Sequence, residues 1–349
     1  MPRRLLIRTE ANAVTATGHM RRCLNIAEAA RAQGAEPVFI VAEPVSEKLP
    51  RERGFQVVCL DRPFDAFDEE IPQMRDWLRQ QGITEKTDAA TLLIDSYFVS
   101  ENYMRAMQEI LQVAYIDDLH ERIWPCDILI CYGMYAADHD YAGEYPHARL
   151  LLGGDYMPLD RIYQEIPKRQ IRGSLKNVLV ISGGTDPVHF LPQFLELAEQ
   201  QKEEWGGMQF TLIAGALDPD LPALLKRAEN MPDVRISEPL PDLKAVLLDS
   251  DLVVTAAGTT LYELAATGTP GICYVLADNQ ILNAEAFVRE GLFLFGGYIH
   301  RDGFRGELFR EQFRQMREPA VRQEMSRRLQ RLVDAKGAER IAKALLGVE

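Results

Sequence analysis

"GGDYMPLDRIYQEIPKRQIRGS", Gly153–Ser174, followed by "NVLVISGG", Asn177–Gly184, divides this chain in two. The first stretch mixes glycine, proline and charge with no sustained apolar period, the composition of a connection rather than an element. The second is a continuous apolar run closed by a glycine pair, as a buried parallel strand meeting a loop would be. A strand–helix alternation that breaks and restarts from a fresh first strand implies two α/β domains. The expected boundaries are 1–157, with a histidine loop, and 174–337, with 338–349 a terminal helix packing back on the first domain.

Upstream of the break, strands are expected at Arg3–Thr9, Pro37–Ala42, Phe55–Leu60, Thr91–Asp95, Val113–Asp117, Asp127–Tyr132 and Ala148–Gly153. The helix after the first strand carries Met20, Cys23, Leu24, Ala27 and Ala30 on one face and stops at Gly34. Downstream, strands are expected at Phe210–Gly215, Asp251–Gly258, Gly271–Ala277 and Leu292–Gly297. The fold class is therefore α/β, two doubly wound Rossmann-like domains facing a cleft where the carboxyl edges of open parallel sheets bind ligands.

The 349 residues are 47% hydrophobic and 26% charged, an ordinary globular composition. The formal charge of −13 argues against nucleic acid or an anionic membrane as partner, because both need basic surface. No apolar run reaches the roughly 18 residues of a membrane span, and the basic N-terminus is too soon interrupted by charge for a signal peptide. A cytoplasmic protein acting on a small molecule is the expectation. Five scattered cysteines with no C-x-x-C pair indicate reduced thiols, neither a disulfide framework nor a zinc site.

Four stretches could carry chemistry, each just after a strand. In Thr17-Gly18-His19-Met20-Arg21-Arg22, Gly18 lets the chain turn and His19 falls at the start of a helix, whose positive end disfavours an imidazolium. His19 is then a base, a donor to a bound anion, or a loop-capping residue. Arg22 is either a phosphate contact or an exposed charge. In Ser182-Gly183-Gly184-Thr185-Asp186-Pro187, Gly183 and Gly184 could turn amides toward a ligand, or the loop could be plain turn and cap chemistry. In Gly258-Thr259-Thr260-Leu261-Tyr262-Glu263, a helix N-terminus with two hydroxyls suits a diphosphate without metal. There Glu263 either takes ribose hydroxyls or closes a capping box on Thr260. Asp278-Asn279-Gln280 could bind a sugar or serve as an Asx cap. Asp95, Ser96 and Tyr97 occupy the equivalent edge of the first domain. Asp117-Asp118 and Asp218-Pro219-Asp220 read as turns rather than a metal cage. No G-x-S-x-G nucleophile elbow occurs. Neither metal nor cofactor is expected.

Taken together, "GHMRRCLNIAEAA", "LLIDSY", "YIDDL", "YAGEYPHARLLLG", "ISGGTDP", "AAGTTLYELAATGTP", "LADNQ" and "VDAKGAERIAKAL" run through most of the chain. In their order and spacing the chain resembles the UDP-2,4-diacetamido-2,4,6-trideoxy-β-L-altropyranose hydrolases of bacterial pseudaminic acid biosynthesis. More broadly it is similar to nucleotide-sugar enzymes of the two-domain glycosyltransferase-B fold. The resemblance implies hydrolysis of a UDP-sugar at the anomeric carbon, with His19 the base that activates water. It implies that Tyr97 and Asn279 line the sugar pocket, that Gly258, Thr259 and Thr260 hold the diphosphate, and that Glu263 meets the ribose. Gly18, Arg22, Gly183, Gly184, Asp278 and Gln280 complete the expected binding residues. Glu10 stands where relatives usually carry aspartate, Ala16 replaces a glycine of the histidine loop, and Cys131 and Tyr132 replace polar residues. These departures are expected on the sugar side. A UDP-sugar-dependent glycosyltransferase and a non-catalytic UDP-sugar-binding protein are the competing readings.

Overall fold

The computed structural model describes residues 4–12, 14–85, 90–183, 186–215, 218–238, 240 and 242–348. The chain separates into two compact units, residues 1–161 with 335–349, and residues 162–334.

Unit 1 is built on seven parallel strands: β1 (Arg4–Thr9), β2 (Val38–Val41), β3 (Gln56–Cys59), β4 (Ala90–Asp95), β5 (Gln112–Ile116), β6 (Ile128–Cys131) and β7 (Arg149–Leu152). Their order is β3-β2-β1-β4-β5-β6-β7. The central strands are buried on both faces, which is why they read as unbroken apolar runs; Leu5, Leu6, Ile7, Leu92, Leu93 and Ile94 are all buried. The order reverses between β1 and β4, which pair in register from Arg4↔Ala90 to Thr9↔Asp95. Loops leaving these two strands diverge, so their carboxyl ends frame the crevice where such sheets bind ligands.

The helix Gly18–Ala32 follows β1 and buries the expected face of Met20, Cys23, Leu24, Ala27 and Ala30. Against it lies the terminal helix Gly337–Leu346, also in unit 1. A Cβ on Gly337 would stand 2.2 Å from the Met157 carbonyl oxygen, so only glycine allows that approach. Arg340 Nη1 donates to the Asp155 carbonyl at 2.8 Å, and Thr91 Oγ1 to that of Leu345 at 2.8 Å.

Unit 2 repeats the plan with β8 (Asn177–Ile181), β9 (Gln209–Ile213), β10 (Val234–Ser237), β11 (Leu252–Ala256), β12 (Gly271–Val275) and β13 (Leu294–Tyr298). Here the order is β10-β9-β8-β11-β12-β13, and the reversal lies between β8 and β11. An aromatic core under the sheet joins Phe190, Phe194, Trp205 and Phe313; Trp205 stacks on Phe313 at 4.2 Å. The connection Ile162–Ser174 belongs to this unit, fastened by Arg169 to the carbonyls of Leu247 and Ser250 and by Arg172 to Asp249.

Candidate active site

At the switch point of unit 1, His19 is the second residue of its helix and Asp95 the last of β4. His19 Nδ1 lies 2.6 Å from Asp95 Oδ1. Nδ1 also lies 3.0 Å from Arg22 Nη2, which only donates, but the shorter contact is to a carboxylate oxygen, which only accepts; on that contact the proton is assigned to Nδ1, donating to Asp95. Nε2 of the neutral ring then carries a lone pair. This is the arrangement of a general base with an orienting carboxylate.

Arg22, one turn further along, holds the other side of Asp95, with Nε donating to Oδ2 at 2.6 Å. Its Nη1 donates to Asp118 Oδ2 at 2.6 Å and also meets the Tyr132 hydroxyl. Tyr97 donates to the same Asp118 oxygen at 3.1 Å, and its ring stands edge-on to His19, centroids 4.5 Å apart at 83°. His19, Asp95, Arg22, Asp118 and Tyr97 thus form a closed circuit in which each member fixes the next. Burial alone would raise the Asp95 carboxyl, but the Arg22 charge and the hydrogen bonds from Arg22 and His19 outweigh it and hold the group well below the usual carboxylate range. Arg22, which burial would lower, is likewise held well above its usual value by Asp118 and Asp95.

A depressed folded-state pKa contributes stability above the unfolded value of about 3.9 that disappears as pH falls through the folded value. Wild-type protein should therefore lose stability below about pH 4 more steeply than Asp95→Asn. Urea midpoints between pH 5 and pH 2 test this: the gap between the two proteins narrows as the solution becomes acid. A gap that stays constant would rule the linkage out.

Several expectations change on contact with this geometry. Gly18 does not adopt a positive φ, and a Cβ there would meet nothing within 4 Å. The left-handed residue is Ala16, φ 53°, in a loop tied by Asn12 Oδ1 to the amides of Val14 and Thr15. A side chain in that conformation costs about 1–2 kcal/mol, partly offset by the chain entropy a glycine loses. Ala16→Gly should raise stability by about 0.5–1 kcal/mol, read as a higher urea midpoint at unchanged m-value. A lower midpoint would overturn this reading of the loop. Arg22 is neither an exposed charge nor, in this geometry, a phosphate contact: it is buried and committed to Asp95, Asp118 and Tyr132. Glu10, expected on the sugar side, is buried; it pairs with Arg8 and accepts from the Ala42 amide at 2.6 Å and Ser46 Oγ at 2.7 Å. Of the discounted pair, Asp117 caps a turn by accepting from the Leu119 and His120 amides, whereas Asp118 joins the circuit.

In unit 2 the turn after β11 leads into the helix Thr260–Thr267. Thr259, not Thr260, is its N-cap, and it makes no side-chain cap hydrogen bond. Glu263 sits in the first turn. The amides of Leu261 and Tyr262 fold back on the carbonyls of Gly258 and Thr259, 3.2 and 3.0 Å away. The turn after β12 lies beside them. Gln280 Oε1 accepts from the Leu276 amide at 2.9 Å, so its Nε2 is a fixed donor, 4.0 Å from where a Cβ of Gly258 would be. Asn279 is exposed in the same turn. Asp278 is 74% exposed and bound to His300 Nε2 at 2.8 Å and Arg301 Nη2 at 2.6 Å, contacts that lower its pKa. Its Oδ1 is an ion-pair partner of a neighbouring helix. Asn283, which sequence reading passed over, donates to the carbonyls of Ala257 and Gly258 and accepts from the Tyr262 hydroxyl. After β8, Gly183 has φ 92°, while Gly184 and Thr185 lie outside the described residues. Asp186 accepts from the amides of Phe190 and Leu191 at 2.9 and 2.8 Å, plain helix-start chemistry.

Among the described residues no His, Cys, Asp and Glu cluster has metal-binding geometry, and no helix is long and apolar enough to cross a membrane.

Residues 178–343 match the family model of the glycosyltransferase family 28 C-terminal domain. The spore coat polysaccharide biosynthesis protein SpsG of Bacillus subtilis (strain 168) is 26% identical over 147 residues, 42% of this chain and 43% of that protein. The chain spans about half the length of the curated relatives it matches, 43% and 56%. Among solved structures, Acinetobacter baumannii MurG superposes with a TM-score of 0.70 at 13% identity, over 99% of this chain and 100% of that one. S. aureus MnaA, solved with UDP, gives 0.69 at 12% identity, over 99% and 98%. At such identities the likeness is one of fold: two parallel-sheet α/β domains of the glycosyltransferase-B kind.

Proposed function

We propose, from a second half that matches a glycosyltransferase family 28 C-terminal domain and a first half with a carboxylate-held histidine, that the chain hydrolyses a UDP-linked 2,4-diacetamido-2,4,6-trideoxyhexose. Water attacks the anomeric carbon, the bond from that carbon to the phosphate oxygen breaks, and free sugar and UDP leave. His19 Nε2 takes the proton from water and returns it to solvent. The observation that carries this reading is the 2.6 Å contact between His19 Nδ1 and Asp95, which leaves Nε2 as acceptor.

Tyr97 and Asn279 are assigned to the sugar, and Gly258, Thr259, Thr260 and Gln280 to the diphosphate. Amides at a helix start stabilise the charge that builds on the leaving UDP without needing a metal. Glu263 is assigned to the ribose hydroxyls, and Gly18 and Gly183 to close approach of the substrate. Arg22 acts through Asp95, as a positioning residue. A cytoplasmic site of action is part of the same proposal.

One observation favours the transferase alternative. Val14, Val45 and Phe98 are 66%, 62% and 39% exposed in loops leaving β1, β2 and β4, the edge that carries His19, and Phe98 packs on Phe64 at 4.9 Å. An apolar acceptor could use that surface. Phosphorus NMR of UDP release, with and without candidate acceptors, separates the readings. Release without acceptor is expected. Release only with acceptor would establish the transferase, and binding without release the non-catalytic protein.

A further inference from the structure

We propose that Asn283, supported by Tyr262, is the positioning residue that aims the diphosphate-binding amide of Thr259; this rests on the UDP site proposed above. Asn283 lies in the helix Ile281–Arg289 and is 9% exposed. Its Nδ2 donates to the Ala257 carbonyl at 3.1 Å and to the Gly258 carbonyl at 3.4 Å. Carbonyls only accept, so the nitrogen must face them, and Oδ1 is left to accept the Tyr262 hydroxyl at 2.8 Å. Tyr262 is itself buried, with its ring against Phe287 at 5.1 Å.

The consequence follows from peptide geometry. No peptide bond among the described residues is cis, and across a trans peptide the C=O and N–H point in opposite directions. Holding the Gly258 oxygen toward Asn283 therefore turns the Thr259 N–H the other way, out of the turn. The Gly258 N–H is already engaged by the Ala256 carbonyl at 2.9 Å, so Thr259 supplies the first outward donor of this turn. The same pair of bonds keeps two carbonyl oxygens, which would repel an anion, on the protein side. Neither effect requires Asn283 to touch the ligand.

The test is titration of the full chain with UDP and separately with uridine, for wild type, Asn283→Ala and Tyr262→Phe. Loosening the Gly258 peptide, whose carbonyl then keeps only the Leu261 amide, should weaken UDP about tenfold in Asn283→Ala, the size of one hydrogen bond to a charged group, and leave uridine binding unchanged. Tyr262→Phe removes only the support and should weaken UDP about threefold, which keeps the idea testable if Asn283→Ala does not fold. UDP binding equal to wild type in both variants would overturn the proposal. So would an equal loss for UDP and uridine, because general damage to the unit treats both alike. Absence of UDP binding by wild type would instead sink the nucleotide site itself, and this inference with it.

Discussion

His19→Ala is expected to lower kcat for UDP release by about 10³-fold, within the range for loss of a general base, while UDP affinity stays at the wild-type value. The split between the two quantities follows from the placement of the residues. The imidazole belongs to unit 1, and the helix start assigned to the diphosphate belongs to unit 2. Removing the ring deletes the proposed acceptor for the water proton and leaves the proposed anion donors untouched. Single-turnover release by phosphorus NMR, with UDP titration alongside, measures both. If the variant turned over at the wild-type rate, His19 would not be the base.

Asp95→Asn is expected to cost about 10²–10⁴-fold in kcat at nearly unchanged side-chain shape, as expected when a carboxylate that orients a catalytic histidine is lost. An asparagine can present N–H to Nδ1, which moves the ring proton to Nε2 and leaves that nitrogen no lone pair to accept a proton. It also removes one of the two carboxylates on the buried Arg22 guanidinium, leaving Asp118. Breaking a buried pair outright costs about 3–5 kcal/mol; with Asp118 retained, the loss should fall below that range. Activity is therefore measured well below the variant's own melting temperature, with circular dichroism confirming the fold. Full activity in a folded Asp95→Asn protein would mean that tautomer control plays no part.

The parallel strands could be read from the chain because strands buried on both faces are continuous apolar runs, and twelve of the thirteen observed strands coincide with expected ones within about three residues. The missing one, β10, is the short edge run "VRIS", which is only partly buried and carries an arginine, so no apolar signal marks it. The candidate positions are legible in sequence for a topological reason. His19, Tyr97, Gly183, Gly258 and Asn279 all follow strand ends, and sequence shows where strands end. What the side chains do there was not legible, because it depends on partners distant in sequence. Asp95 and Asp118 lie 73 and 96 residues from Arg22, and without them that arginine reads as a surface charge or a phosphate ligand. Glu10 looked like a sugar-side residue until Arg8, Ala42 and Ser46 closed around it. Likewise the helix start at His19 is visible in the sequence, whereas the carboxylate against its ring, 76 residues away, is not.

Turnover of the UDP-linked diacetamido-trideoxyhexose in H₂¹⁸O, without acceptor, tests most directly whether water held by His19 attacks the sugar carbon. UDP should be released unlabelled, with the heavy oxygen on the sugar from the earliest time point. Heavy oxygen on the β-phosphate of UDP, or no UDP release until an acceptor is added, would contradict it.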